Sequence, residues 1–518
     1  MRHTPRSLLP ASSQPILSDR FVESLTKDGF LTFRNVRLQY LRAAAALSVL
    51  LYHASVVVER INGNASFLTV FGGFWGAYGV AVFFALSGYL MGELIQRDDP
   101  ARFMVSRLVR IYPPMLLAVV IFWVAFFAAG FLRSIDPIGL LLAPAGSRDY
   151  FLAVEWTLVY EMSYYVILAL LGFAGLRRFA SWLAACWIAL ILVVLAKDGL
   201  VRDETLPLLS ELPLQAINLP FLVGFLLPVL ARRRWLPPGL WLVAIPATAA
   251  AAYLIPGDPR MKSVIPAILI VAAAVRTPKP TPETAFGMIG ERLGDASYML
   301  YLCHMPLMTL FGSFAPAFAP SLALWLGGIG ASIAFSLALA PADLCMHRWF
   351  KTRIAAAPVS RLRALALSFI AIFVGIAAYA DFHAREKREA YAHAMAIITR
   401  GKPASSATIR AEVDSVDRLP DGTLIIRGYA VDLDKPKLLA HAAVVRDGSI
   451  VVMERLRRMR ADKARSWSRP DLGGSRFGFV LTVPKRIACS AGEFDVRVAF
   501  DDGRHIVPVI APSVRLCA

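Results

Sequence analysis

Ionisable side chains are costly inside apolar runs, so each one found there is a candidate for chemistry. The run "YLRAAAALSVLLYHASVVV" holds two, Arg42 and His53. Their spacing of eleven positions is about three helical turns, which sets both on one face and roughly 16 Å apart along the axis. A neutral imidazole at that depth can act as a general base once a partner orients it; a histidine bonding a neighbouring helix carbonyl is the plainer reading. The segment "EWTLVYEMSYYVIL" offers a partner in Glu161, with Tyr164 and Tyr165 three and four residues further on and so on its face. A buried carboxylate needs a cation, a proton or donors to persist. A histidine protonated during turnover would serve, as would a Tyr or Trp from another helix.

In "SRLVRIYPP", Arg107 and Arg110 stand at i and i+3, and Pro113-Pro114 is expected to redirect the chain beside them. Two adjacent guanidiniums repel unless an anion lies between them. A polyphosphate ligand would satisfy both bidentately, and lipid headgroups would do so too. The segment "LGDASYMLYLCHMPLM" places Ser297, Tyr301 and His304 on one helical face, with Tyr298 beside them and a kink expected at Pro306. "YGVAVFFALSGYLMGELI" carries Ser87 in a small-residue stretch, either a tight helix crossing or a broken helix lining a cavity.

The elements that must position these residues follow from composition. Of 518 residues 57% are hydrophobic and 18% charged, and mean hydropathy is +0.57. Soluble chains run at about 45–50% apolar and about 25% charged residues, so a chain soluble throughout is excluded. Apolar runs fall near 39–58, 75–95, 111–131, 154–175, 179–196, 212–231, 238–255, 263–275, 296–313, 321–342 and 364–380. They predict an α-helical integral membrane protein of about ten to eleven transmembrane helices. The first thirty residues lack the apolar core of a signal peptide. In a soluble protein the formal charge of +18 would suggest nucleic acid; here it is first a matter of topology, and no nucleic-acid partner is expected. Basic residues gather on every second loop, whereas the alternate loops offer only Arg60, Arg133, Arg148, Lys197, Arg202, Arg260 and Lys262. The positive-inside rule then makes the N-terminus cytoplasmic and, with eleven spans, the tail extracytoplasmic. Five scattered cysteines do not form a disulfide scaffold or a zinc site, and no metal is expected.

The expected organisation is a polar leader (1–36), a membrane core (37–350), a further span with a helical stalk (351–400), and a C-terminal domain (401–518). In that last part hydropathy alternates with period two, and Asp421-Gly422, Asp447-Gly448 and Asp502-Gly503 are hairpin signals. A soluble all-β, sandwich-like domain is expected. Cys489 and Cys517 would flank its last hairpin, either bridged in an oxidising compartment or free and buried. The basic run Glu454 to Arg465 is either a solvated helix face or a patch for an anionic polymer.

Five segments, "YLRAAAALSVLLYHA", "GVAVFFALSGYLM", "RLVRIYPP", "WTLVYEMSYY" and "LGDASYMLYLCHMP", follow one another at spacings that resemble the type 3 membrane acyltransferases. The "WTLVYEMSYY" form is similar to the branch that acylates bacterial exopolysaccharides. The resemblance implies a multispan enzyme of a bacterial-type inner membrane, surrounded by membrane lipids. Such an enzyme moves an acyl group, commonly acetyl, from cytoplasmic acyl-CoA to an extracytoplasmic glycan or lipid-linked saccharide, with no tightly bound cofactor. Arg42 and His53 match the family's paired Arg and His, and Arg107 and Arg110 its donor-site arginines. Glu161, Ser297, Tyr298, Tyr301 and His304 match other recurring positions. Asp343, in "DLCMHRWF", is a loose match to an acidic residue that usually precedes a proline, and the tail lacks the Gly-Asp-Ser block of an esterase-like domain.

The expected mechanism has His53, oriented by Glu161, deprotonating the acceptor hydroxyl, with Tyr301 or Ser297 donating to the oxyanion. Ser87, Tyr164, Tyr165, Tyr298 and His304 are further substrate or oxyanion candidates, and an acyl-enzyme on Ser87 or His53 is the alternative to direct transfer. A proton-coupled exporter of a lipid or sugar would also use intramembrane Arg, His and Glu, but it would not consume acetyl-CoA.

Overall fold

A computed structural model describes residues 36–510, apart from 132, 147, 149, 199–206, 277–284, 315–318, 404–406, 419–422, 447–448, 473–474 and 484–493. The leader, Cys489, Cys517 and the Asp-Gly pairs at 421–422 and 447–448 lie outside the described residues. The chain forms two compact units, one up to Ala378 and one from Tyr379.

The first unit is helical. Its long elements are α1 (Val36–Asn62), α2 (Gly73–Leu94), α3 (Pro100–Ala128), α4 (Glu155–Phe173), α5 (Ala180–Asp198), α6 (Asn218–Arg232), α7 (Trp241–Tyr253), α8 (Pro259–Arg276), α9 (Ala285–Phe314), α10 (Ser321–Ala356) and the start of α11 (Val359–Arg400). Every apolar run read from the sequence lies on one of them. Helices close all their backbone hydrogen bonds within the segment, which is what hydrocarbon demands. Among the described residues seven helices, α1 to α5, α10 and α11, are long and apolar enough to cross a membrane. The others are short (α6 and α7) or carry charges near their starts, such as Arg260 and Lys262 in α8 and Glu291 and Asp295 in α9. The run expected from 212 begins with a tight turn at Leu212–Leu214, and its helix starts only at Asn218. Large apolar side chains such as Trp182, Val193, Leu242 and Leu254 point outward. In water they would be a liability; against lipid they cost nothing.

Neither proline site interrupts its helix. α3 runs unbroken through Pro113 and Pro114, and α9 through Pro306. Each proline removes one N–H from the helical ladder, but the turns on either side hold. The glycine-rich run is likewise no broken helix. α2 is continuous and packs closely on α6, where a Cβ on Gly88 would run into the backbone of Phe221 and one on Gly224 into that of Ala85. Small residues on both helices permit that approach.

In the second unit the end of α11 leads into two five-stranded sheets. The strands are β1 (Lys402–Pro403), β2 (Ile409–Arg418), β3 (Leu424–Asp432), β4 (Ala440–Arg446), β5 (Ser449–Arg455), β6 (Arg458–Met459), β7 (Arg476–Val483), β8 (Phe494–Phe500), β9 (Arg504–Ile506) and β10 (Val509–Ile510). The orders are β1-β9-β8-β4-β5 and β10-β2-β3-β7-β6, antiparallel except for the parallel pairs β1-β9 and β10-β2. Ile426, Phe479 and Leu481 of one sheet and Val444, Val496 and Val498 of the other share one core, the alternating inward residues of a sandwich. At the Asp502-Gly503 turn Gly503 takes φ +90°, a conformation that favours glycine. The run from Glu454 to Arg465 is not one helix face. It is split over β5, β6 and a short helix, Ala461–Ser466. Its Arg460 pairs with Asp414 and Asp462, and the hydrogen bond from Arg460 holds the Asp462 carboxyl well below the usual range.

Candidate active site

Two neighbouring cavities of the helical unit gather most of the polar side chains read from the sequence. The narrower, about 160 Å³, is walled by Arg42, Ser87, Arg107, Arg110, Glu161, Tyr165 and Tyr298, among others. The wider, about 1100 Å³, takes in Tyr52, His53 and Trp156. Along α1 the narrow cavity meets Arg42 and the wide one Val49 to His53; along α4 the wide one meets Trp156 and the narrow one Thr157 to Tyr165. They therefore occupy opposite ends of the same helices. Val80 and Tyr301 line both.

In the narrow cavity each charge has a counterpart. Arg110 makes an ion pair of 3.2 Å with buried Asp343 of α10, and its guanidinium lies 4.8 Å from the Tyr298 ring centre. The Arg107 guanidinium lies 5.9 Å from that of Tyr165. Glu161 accepts hydrogen bonds from the Ser87 hydroxyl (3.2 Å) and from the Tyr165 hydroxyl. Arg107 and Arg110 lean on different aromatic rings. Cations over π faces and a paired carboxylate let these two guanidiniums share a small space.

At the other end His53 Nδ1 is 3.1 Å from the carbonyl oxygen of Val49 and 3.1 Å from His304 Nε2. His304 is buried, with its Nδ1 3.0 Å from the Leu300 carbonyl oxygen. A carbonyl only accepts, so His304 donates through Nδ1 and, when neutral, presents Nε2 as an acceptor. His53 then donates through Nδ1, and its own Nε2 keeps the lone pair. Two helical carbonyls thus fix the tautomer of both rings.

This arrangement corrects the expected pairing of His53 with Glu161. The structure gives His53 the partner His304, and turns Glu161 toward Ser87, Tyr165 and the arginines. Thr157, one turn before Glu161 on the same face of α4, is the residue that reaches α9, its hydroxyl 2.6 Å from that of Tyr301. Two other expected site residues are structural. Ser297 is fully buried and donates to the Gly294 carbonyl of its own helix at 2.6 Å. Tyr164 donates to Asn218 Oδ1 at 2.7 Å and stacks on Phe221 with ring centres 3.8 Å apart, fastening α4 to α6. Neither is among the residues lining the two cavities. Tyr298 lines the narrow one and donates to the Ile111 carbonyl at 3.2 Å.

Sequence reasoning missed Thr157, and it took Asp343 only as a loose match. The signal for Asp343 was present, since an acidic residue within an apolar run needs a cation and Arg110 was in search of an anion. It also missed the rim of the wide cavity. There Ala153 lies in the left-handed region at φ +66°, a conformation unusual for a residue with a side chain.

A family model described as an acyltransferase domain matches residues 35–341, and this range contains every residue placed in the two cavities except Asp343, which lies behind Arg110. No curated protein and no solved structure matches the chain.

Proposed function

The chain belongs to the family of membrane acyltransferases, whose domain covers more than half of its length, and on that premise we propose that it carries an acyl group, acetyl in the first instance, from acyl-CoA on the cytoplasmic side to a hydroxyl of an extracytoplasmic saccharide. One observation carries this reading. A cavity walled by three arginines and a cavity holding an oriented histidine approach each other from opposite ends of the bundle and share Tyr301 as a wall. Coenzyme A is rich in phosphate, and guanidiniums bind phosphate bidentately. The narrow cavity suits the acyl thioester end of such a donor, with its nucleotide at the arginine mouth. The basic loops support that mouth as cytoplasmic.

In the step proposed, the acceptor oxygen attacks the thioester carbonyl carbon while its proton passes to His53 Nε2. His304 accepts from His53 Nδ1 and keeps the ring in place; it is a positioning residue. The carbonyl oxygen gathers negative charge, which the Tyr301 hydroxyl on the shared wall can stabilise as a donor. The C–S bond breaks, and the coenzyme A thiolate leaves and recovers the proton. Glu161, bonded to Ser87 and Tyr165, organises the donor side in this reading and does not touch His53. The β-sandwich is not assigned catalysis.

The test is the acetyl content of total cell-surface glycan in cells making the wild type or His53→Ala, with coenzyme A release measured in their membranes. Loss of both in the variant is expected. Undiminished acetylation and undiminished release would overturn the catalytic assignment.

A further inference from the structure

The wide cavity carries cations that acyl transfer itself does not use. Arg133 comes from the loop after α3, Arg148 from the loop before α4, and Arg260 from the first turn of α8. Three segments remote in sequence thus converge on one space. These are also three of only seven basic residues in the basic-poor set of loops, which the positive-inside rule keeps depleted. Retained arginines that meet at one cavity call for a ligand more than for a topological cause.

Among the described residues each nearby carboxylate accepts a hydrogen bond from backbone, and Glu155 Oε2 is buried without one. Asp258, the acidic residue on the lining, accepts from the N–H groups of Arg260 (2.9 Å) and Met261 (3.1 Å) at the start of α8. Asp136 accepts from Ile138 N–H at 2.9 Å as well as from Arg148 at 3.4 Å. Glu155 lies behind the wall and accepts from Leu152 N–H at 2.8 Å. Helix starts and loop amides share those negative charges, so Arg133, which lies over aromatic rings, and Arg148 are not fully matched by them. Among the described residues Arg148 Nε is buried without a hydrogen-bond partner. Aromatic faces stand beside the cations: Arg133 lies 5.4 Å from the Phe151 ring centre and Arg260 5.8 Å from that of Trp156. Tyr52 and Tyr150 complete a wall of rings and hydroxyls of the kind that holds a sugar.

We propose that this cavity takes a saccharide bearing an anionic oxygen group, the carboxylate of a uronic-type sugar or the phosphate of a glycosyl phosphate, which Arg133, Arg148 and Arg260 hold while a hydroxyl of the sugar reaches His53. The proposal rests on the acyl-transfer reading and adds the class of acceptor to it.

Permeabilised cells making the protein and their own acceptor are given labelled acetyl-CoA, and the labelled glycan is separated on an anion exchanger. The label is expected in the retained fraction. Carboxyl reduction with carbodiimide and borohydride moves it to the unretained fraction if a uronic sugar carries it, and mild acid does so if a glycosyl phosphate does. The retained glycan, de-acetylated by mild base, is then titrated against the full-length enzyme in detergent. The double variant Arg133→Gln, Arg148→Gln should raise KM for the glycan at least tenfold and KM for acetyl-CoA less than threefold, and Arg133→Lys with Arg148→Lys should recover most of the loss. Label confined to a neutral glycan, or equal glycan KM in the Gln double variant and the wild type, overturns the proposal while acyl transfer stands. No labelled product and no coenzyme A release from the wild type would instead defeat the acyl-transfer reading.

Discussion

The two cavities are built in different ways. The narrow one is made wholly from helix faces, α1, α2, α3, α4 and α9, and its charged groups are already engaged, Arg110 with Asp343 and Glu161 with Ser87 and Tyr165. The wide one is closed by loops at 133–134, 150–154 and 258–259 together with Arg148, whose Nε is buried without a hydrogen-bond partner among the described residues. Helices hold a side chain to fractions of an ångström, whereas loops adapt and tolerate change. A ligand that never varies is best met by the first construction and one that differs between organisms by the second. A common donor and a particular acceptor would divide the protein in this way.

The largest effect that bears on this division is at His53. His53→Ala should lower the rate of acetyl transfer about 10²–10⁴-fold, the usual worth of a general base, measured as coenzyme A release at saturating donor and acceptor. His304→Gln keeps an acceptor toward His53 and should retain far more rate than His304→Leu; equal loss in both would remove the positioning role. Next come the narrow-cavity arginines. Charge-assisted hydrogen bonds contribute about 1.5–3 kcal/mol each, so Arg107→Gln or Arg110→Gln should raise KM for acetyl-CoA about tenfold to a hundredfold and leave KM for the acceptor nearly as it was. Equal rises in both constants would erase the distinction between the cavities. Asp343→Asn should cost about 1–3 kcal/mol of stability by leaving the Arg110 charge without its carboxylate, read as a lower unfolding temperature in detergent. Adding Arg110→Gln to it should cost less than the two changes do separately. The smallest effect is at the shared wall. Tyr301→Phe removes the hydroxyl that faces the oxyanion, but its proton is already shared with Thr157, so the loss should be that of one neutral hydrogen bond, about 0.5–1.5 kcal/mol, slowing turnover roughly twofold to tenfold without favouring either KM.

Most of the architecture was legible in the sequence, because apolar length and period-two alternation are local signals. The helices under each apolar run, the sheets of the tail and the turn at Asp502-Gly503 all came from such signals. The site was legible as a set of residue types on helix faces, since the 3.6-residue turn decides which residues of one helix share a side. Choice of partner was not. His304 is 251 residues from His53 and Asp343 is 233 from Arg110, and nothing local selects Glu161, His304 or Thr157 as the neighbour of a given face. Helix packing makes that choice, and here it depends on close crossings such as Gly88 against Phe221. Pro113 and Pro114, expected to redirect the chain, sit inside a continuous helix for a related reason. Local rules end a helix at proline, but a helix held along its whole length by neighbours loses one hydrogen bond and continues.

A membrane that stores an ion gradient cannot contain a continuous thread of water. Cavities of about 1100 and 160 Å³ entering the bundle from its two ends would, if joined, form such a thread. Val80 supplies an apolar face where they meet, and Tyr301 is fastened to Thr157 across the same place. If acyl transfer runs as proposed, an acetyl group would cross that partition by changing its bonds, and a closed partition would leave protons and hydrated ions no path to follow. The side chain that would assist the chemistry would also be the insulator that keeps the cell from discharging through its own enzyme.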